Sequence, residues 1–228
     1  MPTCASRIVV VIAAYNEAAV IGRVVAGVVN AGYRAVVVDD GSSDDTGARA
    51  RAAGAVVVTH PINLGQGAAL QTGFDFALAR DADVVVTFDA DGQHRTGDIA
   101  RLVEALDRHG ADYALGSRFR GGTVDLPVSR RLLLGAATAF TRLTTGLAVT
   151  DTHNGLRAVT RRGLARLGLR QNRMAHASEI LHQIALSGLP WVEVPVTIEY
   201  SAYSLAKGQR MSDAVFILVD LFARRMHR

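Results

Sequence analysis

Two aspartates one residue apart, Asp89 and Asp91, directly follow the apolar run Val84-Val85-Val86-Thr87-Phe88, and Gln93 stands shortly beyond them. A chain leaving a strand turns at such a point, so both carboxylates reach a common position past the sheet, where Gln93 adds a carbonyl oxygen. Hard oxygen donors of this kind suit Mg2+ or Mn2+, which keep coordination positions for water and substrate phosphates. An Asp-x-Asp triplet is weak evidence by itself, because paired acids in polar loops are usually only solvated. Its place at a strand end gives it weight.

Two further loops carry chemistry. Asp39-Asp40-Gly41-Ser42-Ser43-Asp44-Asp45-Thr46 follows Val36-Val37-Val38. Ser43 or Asp44 is suited to cap the next helix, and Asp39, at the strand end, to accept N–H donors from a uracil or guanine edge. Asn63-Leu64-Gly65-Gln66-Gly67 opens another helix. Its glycines permit close backbone approach and a helix N-terminus favours anions, which suits a diphosphate. Neither G-x-G-x-x-G nor a Walker Gly-Lys-Ser/Thr occurs, which argues against a Rossmann dehydrogenase or a P-loop enzyme. His94, His153 and His176 lack zinc-site spacing, and only His94 adjoins the acid pair.

The elements that hold these loops read as a β-α-β alternation. β-branched runs at 8–12, 36–38, 56–58 and 84–86 alternate with helical patterns at 17–31, 45–53 and 67–80. Continuous apolar runs suit strands covered on both faces of a parallel sheet, whose ligands bind beyond the carboxyl ends of the strands. The polar loops stand at those ends. Helices are expected at 130–145, 177–187 and 212–225, and a strand at 191–198 whose Pro190 and Pro195 suggest a sheet edge or bend.

A length of 228 residues with 49% apolar and 20% charged residues fits one substantial α/β domain. A net charge of +4 does not point to nucleic acid. Basic residues do cluster locally, at Arg118, Arg120, Arg130 and Arg131 and at Arg224, Arg225, His227 and Arg228, where phosphates or an anionic membrane could be met. One cysteine, Cys4, excludes an internal disulfide, and no signal-peptide pattern opens the chain, so a cytoplasmic location is expected. No stretch approaches the roughly 18 apolar residues of a membrane span; residues 214–222 read either as a core helix or as one lying on a membrane face.

Ala14-Tyr15-Asn16-Glu17, Val38-Asp39-Asp40-Gly41-Ser42, Asn63-Leu64-Gly65, Asp89-Ala90-Asp91-Gly92-Gln93-His94 and Gly116-Ser117-Arg118-Phe119 occur in an ordered series. In order and spacing the series resembles the family-two inverting glycosyltransferases, above all the dolichol-phosphate mannose synthase and polyprenyl-phosphate branch. The resemblance implies a single-domain GT-A fold, a doubly wound, mostly parallel central sheet flanked by helices. A nucleotide-sugar half would span about 1–117 and an acceptor half about 118–228. It implies a UDP- or GDP-sugar donor, with Ala14, Tyr15, Asn16, Glu17 and Asp39 around the nucleoside and Asp40, Gly41, Asn63 and Gly67 in the same donor loops. Asp89, Asp91 and Gln93 would hold the metal, Arg118 would face phosphate, and Arg130 or Arg131 would meet the acceptor's phosphate. Relatives commonly carry proline where Ala13 stands. Asp151-Thr152-His153-Asn154-Gly155-Leu156-Arg157 resembles the family's acceptor-site segment, so Asp151, Asn154 and Gly155 belong there, with Gly155 opening space for substrate. Tyr203-Ser204-Leu205-Ala206-Lys207-Gly208-Gln209 resembles a late loop closing over the donor, with Lys207 on the diphosphate.

Acceptor identity decides whether a base is needed. A hydroxyl acceptor needs one, for which Asp151 or Glu179 is the candidate. A lipid phosphate is already anionic, needs none, and would be positioned by Arg118, Arg130 and Arg131. The lipid phosphate is the favoured reading, because it also gives the apolar residues 132–134 and 214–222 a use in peripheral membrane contact. A sugar nucleotidylyltransferase is disfavoured by the lack of a Gly-rich, Arg- and Lys-containing signature near the N-terminus. A non-catalytic nucleotide-sugar sensor would not need the acid pair.

Overall fold

The β-branched runs do form strands. In a computed structural model, described over residues 7–123, 135, 138–139, 141–171 and 176–199, β1 (Ile8–Ala14), β2 (Arg34–Asp39), β3 (Val56–Thr59) and β4 (Val84–Thr87) run parallel. They are joined by α1 (Ile21–Asn30), α2 (Thr46–Ala52) and α3 (Gln66–Ala79). Then follow α4 (Gly97–His109), β5 (Tyr113–Thr123), β6 (Arg157–Thr160), a single turn Arg161–Leu164, the helix His176–Ser187 and β7 (Trp191–Ile198).

All belong to one 7-stranded sheet in the order β3-β2-β1-β4-β6-β5-β7. Only β6 runs against its neighbours, pairing antiparallel with both β4 and β5. Its start therefore lies at the edge where β1, β2 and β4 end, with Arg157 opposite Thr87. β7 is an outer strand, where Pro195, which cannot donate to a ladder, is tolerated.

The sheet has a buried layer on each face. On one side Val10, Ile12, Ile21, Val25, Ile99, Leu102 and Ala158 pack together; on the other Val11, Leu70, Phe74, Val85, Val159, Ile180 and Leu181 do. Burying one such aliphatic or aromatic side chain contributes roughly 1.5–3 kcal/mol, so the two layers hold the strand ends rigidly.

The expected α1 starts late. Residues 17–20 form a turn instead, with Val20 and Ile21 both donating to the Glu17 carbonyl, at 3.0 and 2.9 Å. The sequence reading gave no element to α4, β5 or β6. Among the described residues no helix is long and apolar enough to cross a membrane. The expected helix at 212–225 and most of that at 130–145, with Arg130, Arg131 and Lys207, lie outside the described residues; residues 141–145 are helical.

Candidate functional site

The loops meet because the register aligns their strands. Ala14 pairs with Asp39, Asp39 with Thr59 and Val11 with Thr87, so the polar segments after β1, β2 and β4 leave one edge together. Asn16, in the left-handed region at φ 54°, laces two of them. Its Oδ1 accepts from Ser43 N at 2.8 Å, and its own N–H donates to Ser42 Oγ at 2.9 Å. Glu17 N donates to Thr46 Oγ1 at 2.7 Å. Tyr15 is 46% exposed at the rim.

Asp39 and Asp40 are neighbours in different environments. Asp39 Oδ1 accepts from Ser42 N at 3.1 Å, while Oδ2 rests against α2, where a Cβ on Gly47 would come within 2.6 Å of it. Asp40 is buried, and both its oxygens are taken: Oδ1 by Leu64 N at 2.9 Å and by His60 Nδ1 at 2.7 Å, Oδ2 by Gly65 N at 2.7 Å. His60 Nε2 continues to Thr72 Oγ1 at 2.9 Å. The expectation that Asp40 binds donor is thus corrected: it clamps the 63–65 loop from inside. Gly41, at φ 73°, packs its α-carbon on that same loop, where a Cβ would lie 2.5 Å from Ile62 C. Gly67 is corrected too, since its open side is filled by the backbone carbonyl of Gln171.

The acid pair is built differently at its two ends. Asp89 Oδ2 lies 2.8 Å from His94 Nε2, and the His94 ring is buried edge-on to Phe88 at 5.3 Å. Burial raises the Asp89 pKa, but the charge and hydrogen bond of His94, with help from Arg157 and His176, hold the carboxyl below its ordinary range. Asp91 accepts from Gln93 N at 3.0 Å, and burial together with the nearby Asp89 pushes its pKa up to about 6. Two carboxylates that resist sharing their charge favour a cation between them. Among the described residues no group of three His, Cys, Asp or Glu side chains encloses an ion. The set therefore fits Mg2+ or Mn2+ that takes further ligands from phosphates and water.

Gly155 does not open space for substrate. A Cβ there would overlap both oxygens of Asp89 and come 2.6 Å from its Cγ, so the glycine makes room for the aspartate. Its carbonyl accepts from Thr87 Oγ1 at 2.5 Å, tying the 151–157 segment to β4.

Asp151 is also corrected as a base. Its side chain is 0% exposed, with Oδ2 bound by Arg118 Nε at 2.7 Å and Arg118 N at 3.1 Å, and Oδ1 by His153 N at 3.2 Å. Arg118, expected at phosphate, turns its Nε inward to this pair. Glu179 accepts from Arg170 N and Gln171 N at 3.1 and 3.0 Å, capping that loop. Asn154 Oδ1 accepts from Leu156 N at 3.0 Å, whereas its Nδ2 is buried without a partner among the described residues.

Two participants escaped the sequence reading. His60 joins two loops, and Glu193 on β7 receives Thr150 N and Thr150 Oγ1 at 2.5 and 2.9 Å, which sets the Asp151 turn. Arg157 is buried beside Asp89 and Asp151. It closes the 151–157 segment, whose family counterpart carries a basic residue.

Comparison with known proteins agrees with this arrangement. The family model for glycosyl transferase family 2 matches residues 9–168. A UDP-N-acetylglucosamine–dolichyl-phosphate N-acetylglucosaminyltransferase of Methanococcus voltae is 31% identical, covering 96% of each chain. A polyprenol monophosphomannose synthase of Mycolicibacterium smegmatis is 33% identical, covering 94% of this chain and 86% of its own. In fold, glucosyl-3-phosphoglycerate synthase from Mycobacterium tuberculosis, crystallised with Mn2+, uridine-diphosphate and phosphoglyceric acid, superposes with a TM-score of 0.73 at 24% identity, covering 95% of this chain and 78% of that one. With the motif series at one sheet edge and a family match across most of the described strands, the chain is a glycosyltransferase and belongs to glycosyl transferase family 2.

Proposed function

We infer that the enzyme transfers a sugar, with inversion, from a UDP- or GDP-sugar to a polyprenyl or dolichyl phosphate, with Mg2+ or Mn2+ held by Asp89, Asp91 and Gln93. The observation that carries the acceptor is the engagement of both candidate bases. Asp151 is closed in an ion pair with Arg118, and Glu179 caps backbone N–H groups. A hydroxyl nucleophile needs a base in reach; an anionic phosphate does not. The relatives named for dolichyl-phosphate and polyprenol substrates support the same choice.

The donor side follows from residue chemistry. Asp39 offers a carboxylate oxygen to a base N–H, and Asn16 holds the loop that frames it. Asp40 and His60 fix the backbone at 63–65, so the nucleotide meets a preformed wall. The bound metal would neutralise charge on the departing diphosphate. Arg130 and Arg131 would position the acceptor phosphate, and Lys207 would meet the donor diphosphate. A cleft of about 580 Å3 bordered by Phe119, Ala139 and Leu143, with Leu143 86% exposed, suits an apolar chain arriving next to Thr150. Residues 214–222 would add contact with the membrane face.

The test is incubation with radiolabelled UDP- and GDP-sugars, Mn2+ and a polyprenyl phosphate, followed by extraction into organic solvent. Label in the organic phase is expected. Label that stays aqueous and moves onto a soluble hydroxyl compound would refute the acceptor.

A further inference from the structure

Arg157 heads β6, pairs in register with Thr87, and lies two residues beyond the Gly155 that abuts Asp89. It is 4% exposed. Its charge is felt by Asp89, Asp151 and His153, so the guanidinium sits among groups of the reacting edge. Yet each of those acids has a nearer partner: His94 at 2.8 Å for Asp89, and Arg118 at 2.7 Å for Asp151. Among the described residues the Arg157 guanidinium forms no hydrogen bond and no ion pair; burial opposes its charge and two more distant carboxylates support it. A guanidinium carries five donors in a rigid fork, and those of Arg157 reach the edge of the site with no protein acceptor among the described residues. Such a group is incomplete until an anion reaches it.

The substrates supply one. An anionic phosphate entering this edge would approach the acids Asp89 and Asp91, and Arg118 has turned its Nε to Asp151. We propose that Arg157 is a phosphate-binding residue of the reacting centre, its fork donating to an anionic oxygen of the departing diphosphate or of the acceptor monophosphate. The proposal rests on the transfer reaction inferred above, and either source presents the same planar pair of oxygens to the fork.

Arg157→Met and Arg157→Lys in the full chain test it through two constants at saturating Mn2+: the Kd of UDP or GDP by calorimetry, and the KM for a polyprenyl phosphate. In Arg157→Met one of the two is expected to rise about tenfold or more, the equivalent of one charge-assisted hydrogen bond. Arg157→Lys, which keeps the charge and loses the fork, is expected to recover part of it. A weakened Kd identifies the diphosphate, and a raised KM with unchanged Kd the acceptor. Both constants within about twofold of wild type, in a variant that still melts cooperatively, overturn the proposal. So does a change confined to the Mn2+ concentration required, which would make Arg157 a support for Asp89 only. If Arg157→Met fails to fold, the same two thresholds apply to Arg157→Lys. If wild type transfers nothing to polyprenyl phosphate, the acceptor reading fails, while the nucleotide Kd still reports on Arg157.

Discussion

Gly155 and Asp89 share one volume: the bare α-carbon of the glycine faces the carboxylate so closely that a Cβ would come 2.6 Å from Asp89 Cγ. Gly155→Ala should therefore push Asp89 off its place and break the His94 contact. Metal-dependent turnover is expected to fall about a hundredfold, with an overpacking loss of roughly 1–3 kcal/mol in melting experiments. Activity near wild type would show that the Asp89 position is immaterial to catalysis.

Asp91→Ala is expected to abolish metal-dependent donor turnover, measured as nucleotide diphosphate released at saturating Mn2+. Normal release would remove the acid pair from the mechanism.

Asp91 also sets a pH dependence. Its folded pKa, about 6, lies above the 3.8 of an unperturbed aspartate, so the folded protein binds the proton more tightly than the unfolded chain does. The resulting stabilisation is complete below 3.8 and is lost as pH rises through about 6. Metal-free wild type should lose melting temperature across this window relative to Asp91→Asn, and Mn2+ should restore it above the window. Identical profiles for the two proteins would contradict this.

Asp151 acts as a scaffold in this structure, and its removal should read as lost stability. Asp151→Ala leaves Arg118 buried without that partner, for an expected loss of about 3–5 kcal/mol in denaturant unfolding. Adding Arg118→Met should recover part of the loss. A stable single variant that is merely inactive would return Asp151 to the role of base.

Asp40→Asn tests the donor-loop clamp. Weakened hydrogen bonds to Leu64 N, Gly65 N and His60 should cost about 1.5–3 kcal/mol of stability, and KM for the donor should rise more than kcat falls. Unchanged donor KM would separate the clamp from donor binding.

Much of this was legible in the sequence. The valine runs marked β1 to β4, and their polar followers marked the edge where ligands gather, because alternation and turn chemistry are local properties. Pro190 and Pro195 left open a sheet edge or a bend, and β7 proves to be an outer strand. α4 received no element in the sequence reading although Ile99, Leu102, Val103 and Leu106 recur at helical spacing. The direction of β6 was not legible: four residues, Arg157–Thr160, carry no record of which neighbours they pair with. Side-chain assignments failed for the same reason. Asp39 and Asp40 are adjacent and chemically identical; only the strand's alternation and the fold around it send one toward Ser42 and α2 and the other to His60. Gly155 looked like a place for substrate because its neighbour Asp89 is distant in the chain.

The contact between Gly67 and the Gln171 carbonyl has a mechanical consequence. Gln71, one turn along α3, also accepts from Leu169 N at 2.7 Å, so α3 is fastened twice to the segment that leads toward the helix His176–Ser187. The donor loop at 63–65 is thereby braced, through the start of α3, against residues 169–171. A residue larger than glycine at position 67 would therefore press on the Gln171 carbonyl and shift both segments together.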